Sequence, residues 1–267
     1  MSSAKITVKK LRDMKKSGDK IAALTACDFL TSTLLSDTGI DIILVGDSLG
    51  MVFQGKDNTL SVTLDDMIYH TRCVARGNKN ALLVSDMPFL TYHVSDEDAI
   101  RNAGALIQKG CAEAVKLEGG ADIAPTVKKL VNAGIPVMGH IGLTPQDILS
   151  TGGYFIQGTN EQAALKLIAD AKTLQDAGIF ALVLECIPAS LAHDITKALD
   201  VPTIGIGAGK DCDGQILVTY DMIGLYKRIK PRFLKMYTNC YDQASDAITR
   251  YKDEVKNGSF PGKEHSY

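Results

Sequence analysis

The chain has 267 residues, 45% of them hydrophobic, with 29 Lys and Arg against 31 Asp and Glu and a formal net charge of −2. That balance offers no basic surface for nucleic acid or an anionic membrane, and no apolar run reaches the roughly 18 residues of a transmembrane helix. The length suits one large α/β barrel or two small domains.

The basic start, MSSAKITVKKLRDMKKSGDK, lacks the apolar stretch of a secretory signal; it reads as an amphipathic first helix, with a short organelle-targeting role as the alternative. Apolar runs then recur along the chain: Ile21 to Cys27, Ile42 to Gly46, Ala81 to Val84, Ala114 to Leu117, Ile135 to Met138, Phe180 to Leu184 and Val201 to Ile206. Phe233 to Tyr237 makes a weaker eighth. Short apolar runs bounded by turn residues suit strands covered on both faces.

The segments between carry helix punctuation. Ser95 precedes Asp96, Glu97 and Asp98 as an N-cap, Thr144 stands before Pro145, and Asn160 opens EQAALKLIADAKTLQDAG, which stops at Gly178. Thr38-Gly39, Ala133-Gly134 and Ala177-Gly178 each end a helical stretch with a glycine just before an apolar run. Alternating strands and helices imply right-handed crossovers. About eight such units favour a (β/α)8 barrel of the TIM type over an open doubly wound sheet. With no linker in view, the expectation is a single barrel domain over 1–267, with an N-terminal helix and a C-terminal helical extension from Tyr241 onward.

Six cysteines are scattered with no CxxC, which suggests reduced thiols and a cytoplasmic setting.

In such barrels the chemistry lies at the C-terminal ends of the strands. There the sequence places Asp28, Asp47 with Ser48, Asp86, Lys116 with Glu118, His140, Glu185 and the glycines of IGIGAG. A carboxylate ending a buried strand wants a cation, so Asp47, Asp86 and Glu118 together suggest a hard divalent metal such as magnesium. Each residue also has a plainer role open to it. Asp47 and Asp86 could cap the following helices. Lys116 and Glu118, two apart on one strand face, could be a simple ion pair. His140 could be a hydrogen-bonded core histidine. Glu185, ending the apolar ALVLE, is harder to explain without a partner or a catalytic role. The stretch Gly205 to Gly209 is either an anion cradle or a tight loop.

The segments LVGDSLGMVFQG, YHTRCVARG, SDMPF, VKLEGG, GHIGLTPQ, VLECIP, IGIGAG with DGQILV, and PGKEHS resemble the ketopantoate hydroxymethyltransferase family in the family's own order, from about Ile21 to the C-terminus. The resemblance implies a (β/α)8 barrel, Mg2+, 5,10-methylenetetrahydrofolate as one-carbon donor, 3-methyl-2-oxobutanoate as acceptor, and a homo-oligomer, typically a decamer. Residue by residue it puts the metal acids at Asp47, Asp86 and Glu118, the oxo-acid contacts at Asp47, Ser48, Asp86 and Lys116, and the catalytic base at Glu185. His140 is a candidate supporting or proton-relay residue. The chain departs from the family's usual pattern at Cys27 and Phe155, both outside that set. The rival readings are a Mg-dependent oxo-acid lyase or mutase of the phosphoenolpyruvate mutase and isocitrate lyase type, whose KKCGH-like stretch is missing, and a non-catalytic metabolite-binding barrel.

Overall fold

The computed structural model describes residues 4–228 and 231–267. The chain forms two compact units, one ending at Val218 and the other running Thr219–Tyr267. The first is a closed barrel of eight parallel strands in chain order: β1 Ile21–Thr25, β2 Ile42–Val45, β3 Leu82–Asp86, β4 Ala114–Glu118, β5 Val137–Gly142, β6 Ala181–Glu185, β7 Thr203–Ile206 and β8 Gly214–Leu217. Strands β1 and β8 close it, with Ala23 opposite Ile216. The helices of this unit are α1 Val8–Ser17, α2 Phe29–Thr38, α3 Leu49–Val52, α4 Leu64–Gly77, α5 Asp96–Gln108, α6 Ala124–Asn132, α7 Ile148–Thr151, α8 Glu161–Ala177 and α9 Ala189–Ala198. The second unit holds α10 Thr219–Met222 and the long α11 Cys240–Asn257.

The local signals act as their chemistry requires. The Ser95 hydroxyl accepts from the Asp98 N–H to start α5, and the Asn160 side chain accepts from the Ala163 N–H to start α8. Gly39, Gly134 and Gly178 follow their helices at φ of +80°, +86° and +106°, where a side chain would be strained. Asp28, one of the rim candidates, is the N-cap of α2: its carboxylate accepts from the Thr31 N–H and hydroxyl at 2.9 and 2.7 Å.

Two expectations need correction. The eighth strand is Gly214–Leu217, not Phe233 to Tyr237, which lies in the second unit without strand structure. It was hidden because GQIL opens on glycine and exposes Gln215, so it is not an apolar run. Positions 207–213, which join β7 to β8, carry no helix. A parallel crossover normally takes a dozen residues or more, so the spacing gave no cue either. The second correction concerns Thr144-Pro145, which opens only a single 3-10 turn, Pro145–Asp147, ahead of the four-residue α7. The Thr144 hydroxyl donates to the Asp147 carboxylate at 2.7 Å instead of capping the backbone.

Inside the barrel, apolar side chains such as Ile42, Leu82, Met138 and Ile204 form one cluster, and Leu11 and Met14 of α1 belong to it. The first helix therefore closes the N-terminal end of the barrel, and the C-terminal end is left for polar groups.

Candidate active site at the C-terminal rim

Strands β3, β4 and β6 end on Asp86, Glu118 and Glu185 at this rim, β5 carries His140 two residues before its end, and parallel register aligns them. Asp86 pairs with Lys116, Glu118 with His140, and Gly142 with Glu185. Asp47 lies two residues beyond the end of β2. Asp47, Asp86, Lys116, Glu118 and His140 are all buried. Ser48 is half-buried at the start of α3.

Lys116 Nζ is the centre. It stands 3.2 Å from Asp86 Oδ1, 3.5 Å from Glu118 Oε1 and 3.1 Å from His140 Nδ1. The imidazole lies 3.4 Å from Glu118 Oε1 through Nδ1 and 3.2 Å from Glu185 Oε2 through Nε2. Asp47 joins through its backbone N–H, which donates to Asp86 Oδ2 at 2.9 Å. Neither Asp47 nor Asp86 caps a helix, and Lys116–Glu118 is one edge of a larger network rather than an isolated pair. His140 is likewise part of that network. Glu185 is neither sealed in apolar packing nor alone: its side chain is 16% exposed and faces the imidazole.

Four carboxylates thus face one lysine and one histidine. Burial raises the Asp47 carboxyl well above its ordinary range, and repulsion from Asp86 and Glu118 adds to the rise. Burial also raises Asp86, against the pull of Lys116 and the Asp47 N–H. Burial works against the charged form of Glu118, but Lys116 and His140 outweigh it and hold the carboxyl at about 2. Burial and Lys116 oppose an imidazolium at His140; the carboxylates of Glu118 and Glu185 prevail and hold it at about 9.

The oxygen-rich set fits a hard cation. Asp86 Oδ1 is buried at ion-pair distance from Lys116, yet out of line for a hydrogen bond. A buried carboxylate oxygen left so is costly, and a cation would favour the ionised forms of Asp47 and Asp86 that burial now opposes. Among the described residues no three acids, histidines or cysteines form a ready-made ligand cage. Magnesium characteristically takes one or two carboxylates and keeps several waters, so that finding leaves the fit intact.

In the glycine stretch at the end of β7, backbone geometry requires glycine at two positions. Gly207 and Gly209 have φ of +65° and +81°, and a Cβ on Gly209 would lie 2.5 Å from Ala189 Cβ. Sequence reasoning missed two residues of the site. Gln146 and Tyr92 are both buried and hydrogen-bonded to the acid cluster.

Fold and rim together define a parallel (β/α)8 barrel that gathers carboxylates, a lysine and a histidine at its C-terminal end. Among solved structures, a 2,3-dimethylmalate lyase of the PEP mutase/isocitrate lyase superfamily is similar with a TM-score of 0.61 at 18% identity, over 97% of this chain and 91% of the lyase chain. That likeness is one of fold. The sequence comparison is more specific. The family model for ketopantoate hydroxymethyltransferase matches residues 5–263. The 3-methyl-2-oxobutanoate hydroxymethyltransferase of Moorella thermoacetica is 53% identical over 99% of this chain and 98% of its own length. That of Clostridium novyi is 54% identical over 98% and 96%. The chain belongs to the ketopantoate hydroxymethyltransferase family.

Proposed function

We propose that the chain transfers a hydroxymethyl group from 5,10-methylenetetrahydrofolate to 3-methyl-2-oxobutanoate, giving ketopantoate for pantothenate synthesis. The observation that carries this reading is the cluster around Lys116, with three buried carboxylates on one side and Glu185 one imidazole away on the other. The identity to hydroxymethyltransferases over nearly the whole chain supports it. A lyase or mutase has only the distant fold likeness in its favour.

Asp47 and Asp86 would hold Mg2+, with Glu118 bound directly or through water. When bound, the cation supplies Lewis-acid polarisation of the oxo group. Lys116 and Ser48 neutralise and orient the substrate carboxylate. Glu185, partly exposed, removes the C3 proton, and His140 steadies the carboxylate that receives it. Water adds to the donor's methylene carbon and both of its C–N bonds break, releasing tetrahydrofolate and formaldehyde. The carbanionic C3 then adds to the formaldehyde carbon, and the alkoxide oxygen takes up the proton removed from C3. The same reading takes residues 1–267 as one enzyme domain, active as a homo-oligomer, with a decamer expected from the family. All six cysteines are free, in keeping with a reducing cytoplasmic setting. Among the described residues no helix is long and apolar enough to cross a membrane.

Proton NMR in D2O tests the chemistry. The C3 proton of 3-methyl-2-oxobutanoate is expected to exchange with enzyme and Mg2+ and to stop exchanging on adding EDTA. No exchange, with or without tetrahydrofolate, would overturn the substrate assignment.

A further inference from the structure

Gln146 touches two of the three acids yet is neither charged nor at a strand end. Its backbone N–H donates to Glu118 Oε2 at 3.0 Å, and its side-chain Nε2 donates to Asp47 Oδ2 at 2.8 Å. The same Nε2 donates to the Met87 carbonyl at 3.0 Å. On the other side, Oε1 lies 2.8 Å from the Tyr92 hydroxyl. Only an amide nitrogen can serve a carboxylate and a carbonyl at once, so these partners fix which way the amide points. The Tyr92 hydroxyl has one proton to give. It accepts from the Glu118 N–H at 3.2 Å, and of the two acceptors within its reach, Gln146 Oε1 at 2.8 Å and the Glu118 carbonyl at 3.1 Å, Gln146 is the nearer.

A loop of bonds therefore runs from the Glu118 backbone through Tyr92 and Gln146 to Asp47, and back from the Gln146 backbone to the Glu118 carboxylate. Tyr92 and Gln146 are buried at 2% and 4% exposure, so water does not substitute for these bonds. Gln146 can hold this place because the Pro145–Asp147 turn carries its N–H and its side chain toward the same two acids.

We propose that Gln146 is a positioning residue, which, with its amide locked by Tyr92, sets the spacing of Asp47 and Glu118 to receive a divalent cation. This rests on the reading of those acids as the cation's holders. Partners that orient metal-holding carboxylates typically contribute about 10–100-fold in metal affinity.

The test is electron paramagnetic resonance titration of the full chain with Mn2+ alone, without oxo acid or folate. Gln146→Leu is expected to raise the Mn2+ dissociation constant by about 10-fold or more, with the number of sites per folded chain unchanged. Tyr92→Phe keeps the packing and loses only the lock; it is expected to raise the constant by a smaller factor than Gln146→Leu. If Gln146→Leu does not fold, Tyr92→Phe decides. Affinity unchanged in the variants that fold overturns the proposal. A reduced number of sites at unchanged affinity also overturns it, since that is what a merely structural role would produce. Absence of Mn2+ binding by the wild-type chain removes the metal reading itself, and the clamp with it.

Discussion

The two ends of the barrel each hold a cluster of charged groups, and the two clusters are built to opposite specifications. At the N-terminal end Asp213 accepts from Lys15 Nζ at 2.7 Å, from the Thr203 N–H at 2.8 Å and from the Thr203 hydroxyl at 3.1 Å. Lys15 also donates to the Thr196 carbonyl at 3.0 Å. There one acid meets one base, and all three bonds to the acid converge on one oxygen, Oδ2. At the C-terminal end four carboxylates share two cationic partners, and Asp86 Oδ1 is left without a hydrogen bond. The first arrangement fastens α1 to the floor of the barrel. The second crowds more carboxyl groups than it has bases to pair them, as expected where barrels place stability at one face and chemistry at the other.

The largest effect that would sharpen this contrast is on rate. Glu185→Gln is expected to lower C3 proton exchange by about 10² to 10⁴ while Mn2+ binding is kept. Exchange near the wild-type rate would remove Glu185 from its role. Next comes Lys116→Met. It takes away the lysine that faces both Asp86 and Glu118, and breaking such a buried pair costs about 3–5 kcal/mol. Thermal unfolding in EDTA should show that loss, and Mg2+ should raise the melting temperature more in the variant than in the wild type. A variant as stable as wild type in EDTA would mean the rim charges are already compensated, and the contrast between the two ends would fail.

How far the site can be read from sequence depends on the kind of contact. Asp47, Asp86, Glu118, His140 and Glu185 are legible because each closes or follows a buried run, where a charged or titratable group is conspicuous. Gln146 and Tyr92 are not. Neither interrupts an apolar strand, and Gln146 reaches its partners Asp47, Met87 and Tyr92 across 99, 59 and 54 positions of chain. Only the closed barrel brings these together. Seven strands were visible as apolar runs, and the eighth was not, because the barrel's last gap is filled by pairing of a short, half-polar segment with strands on both sides. Tertiary closure supplies what local composition lacks.

Asp213→Ala tests the other end. Loss of hydrogen bonds to a partly buried charge should cost about 2–3 kcal/mol of stability. The Mg2+ dependence of unfolding should match the wild type. A changed Mg2+ response in this variant would show that the floor and the rim are coupled.

The smallest effect separates burial from crowding of charge. Asp221, in the second unit, has a buried Oδ1 without a hydrogen-bond partner, and burial alone lifts its carboxyl from 3.8 to about 6. It is what the rim acids would be without neighbours. Between those two values the folded chain keeps a proton that the unfolded chain has released. Stability therefore falls as pH rises through that window, and the full cost is present above about 6. Asn in place of Asp221 cannot ionise and escapes that cost. Since the group is partly exposed, solvent screening trims the gain to about 1 kcal/mol, or roughly 2–4 °C in melting temperature. Asp221→Asn should thus melt higher than wild type at pH 8 and alongside it near pH 4, with or without Mg2+. A gain that is the same at both pH values would assign it to packing rather than charge. A gain that vanishes in Mg2+ would mean that Asp221 shares the cation dependence here reserved for the barrel rim.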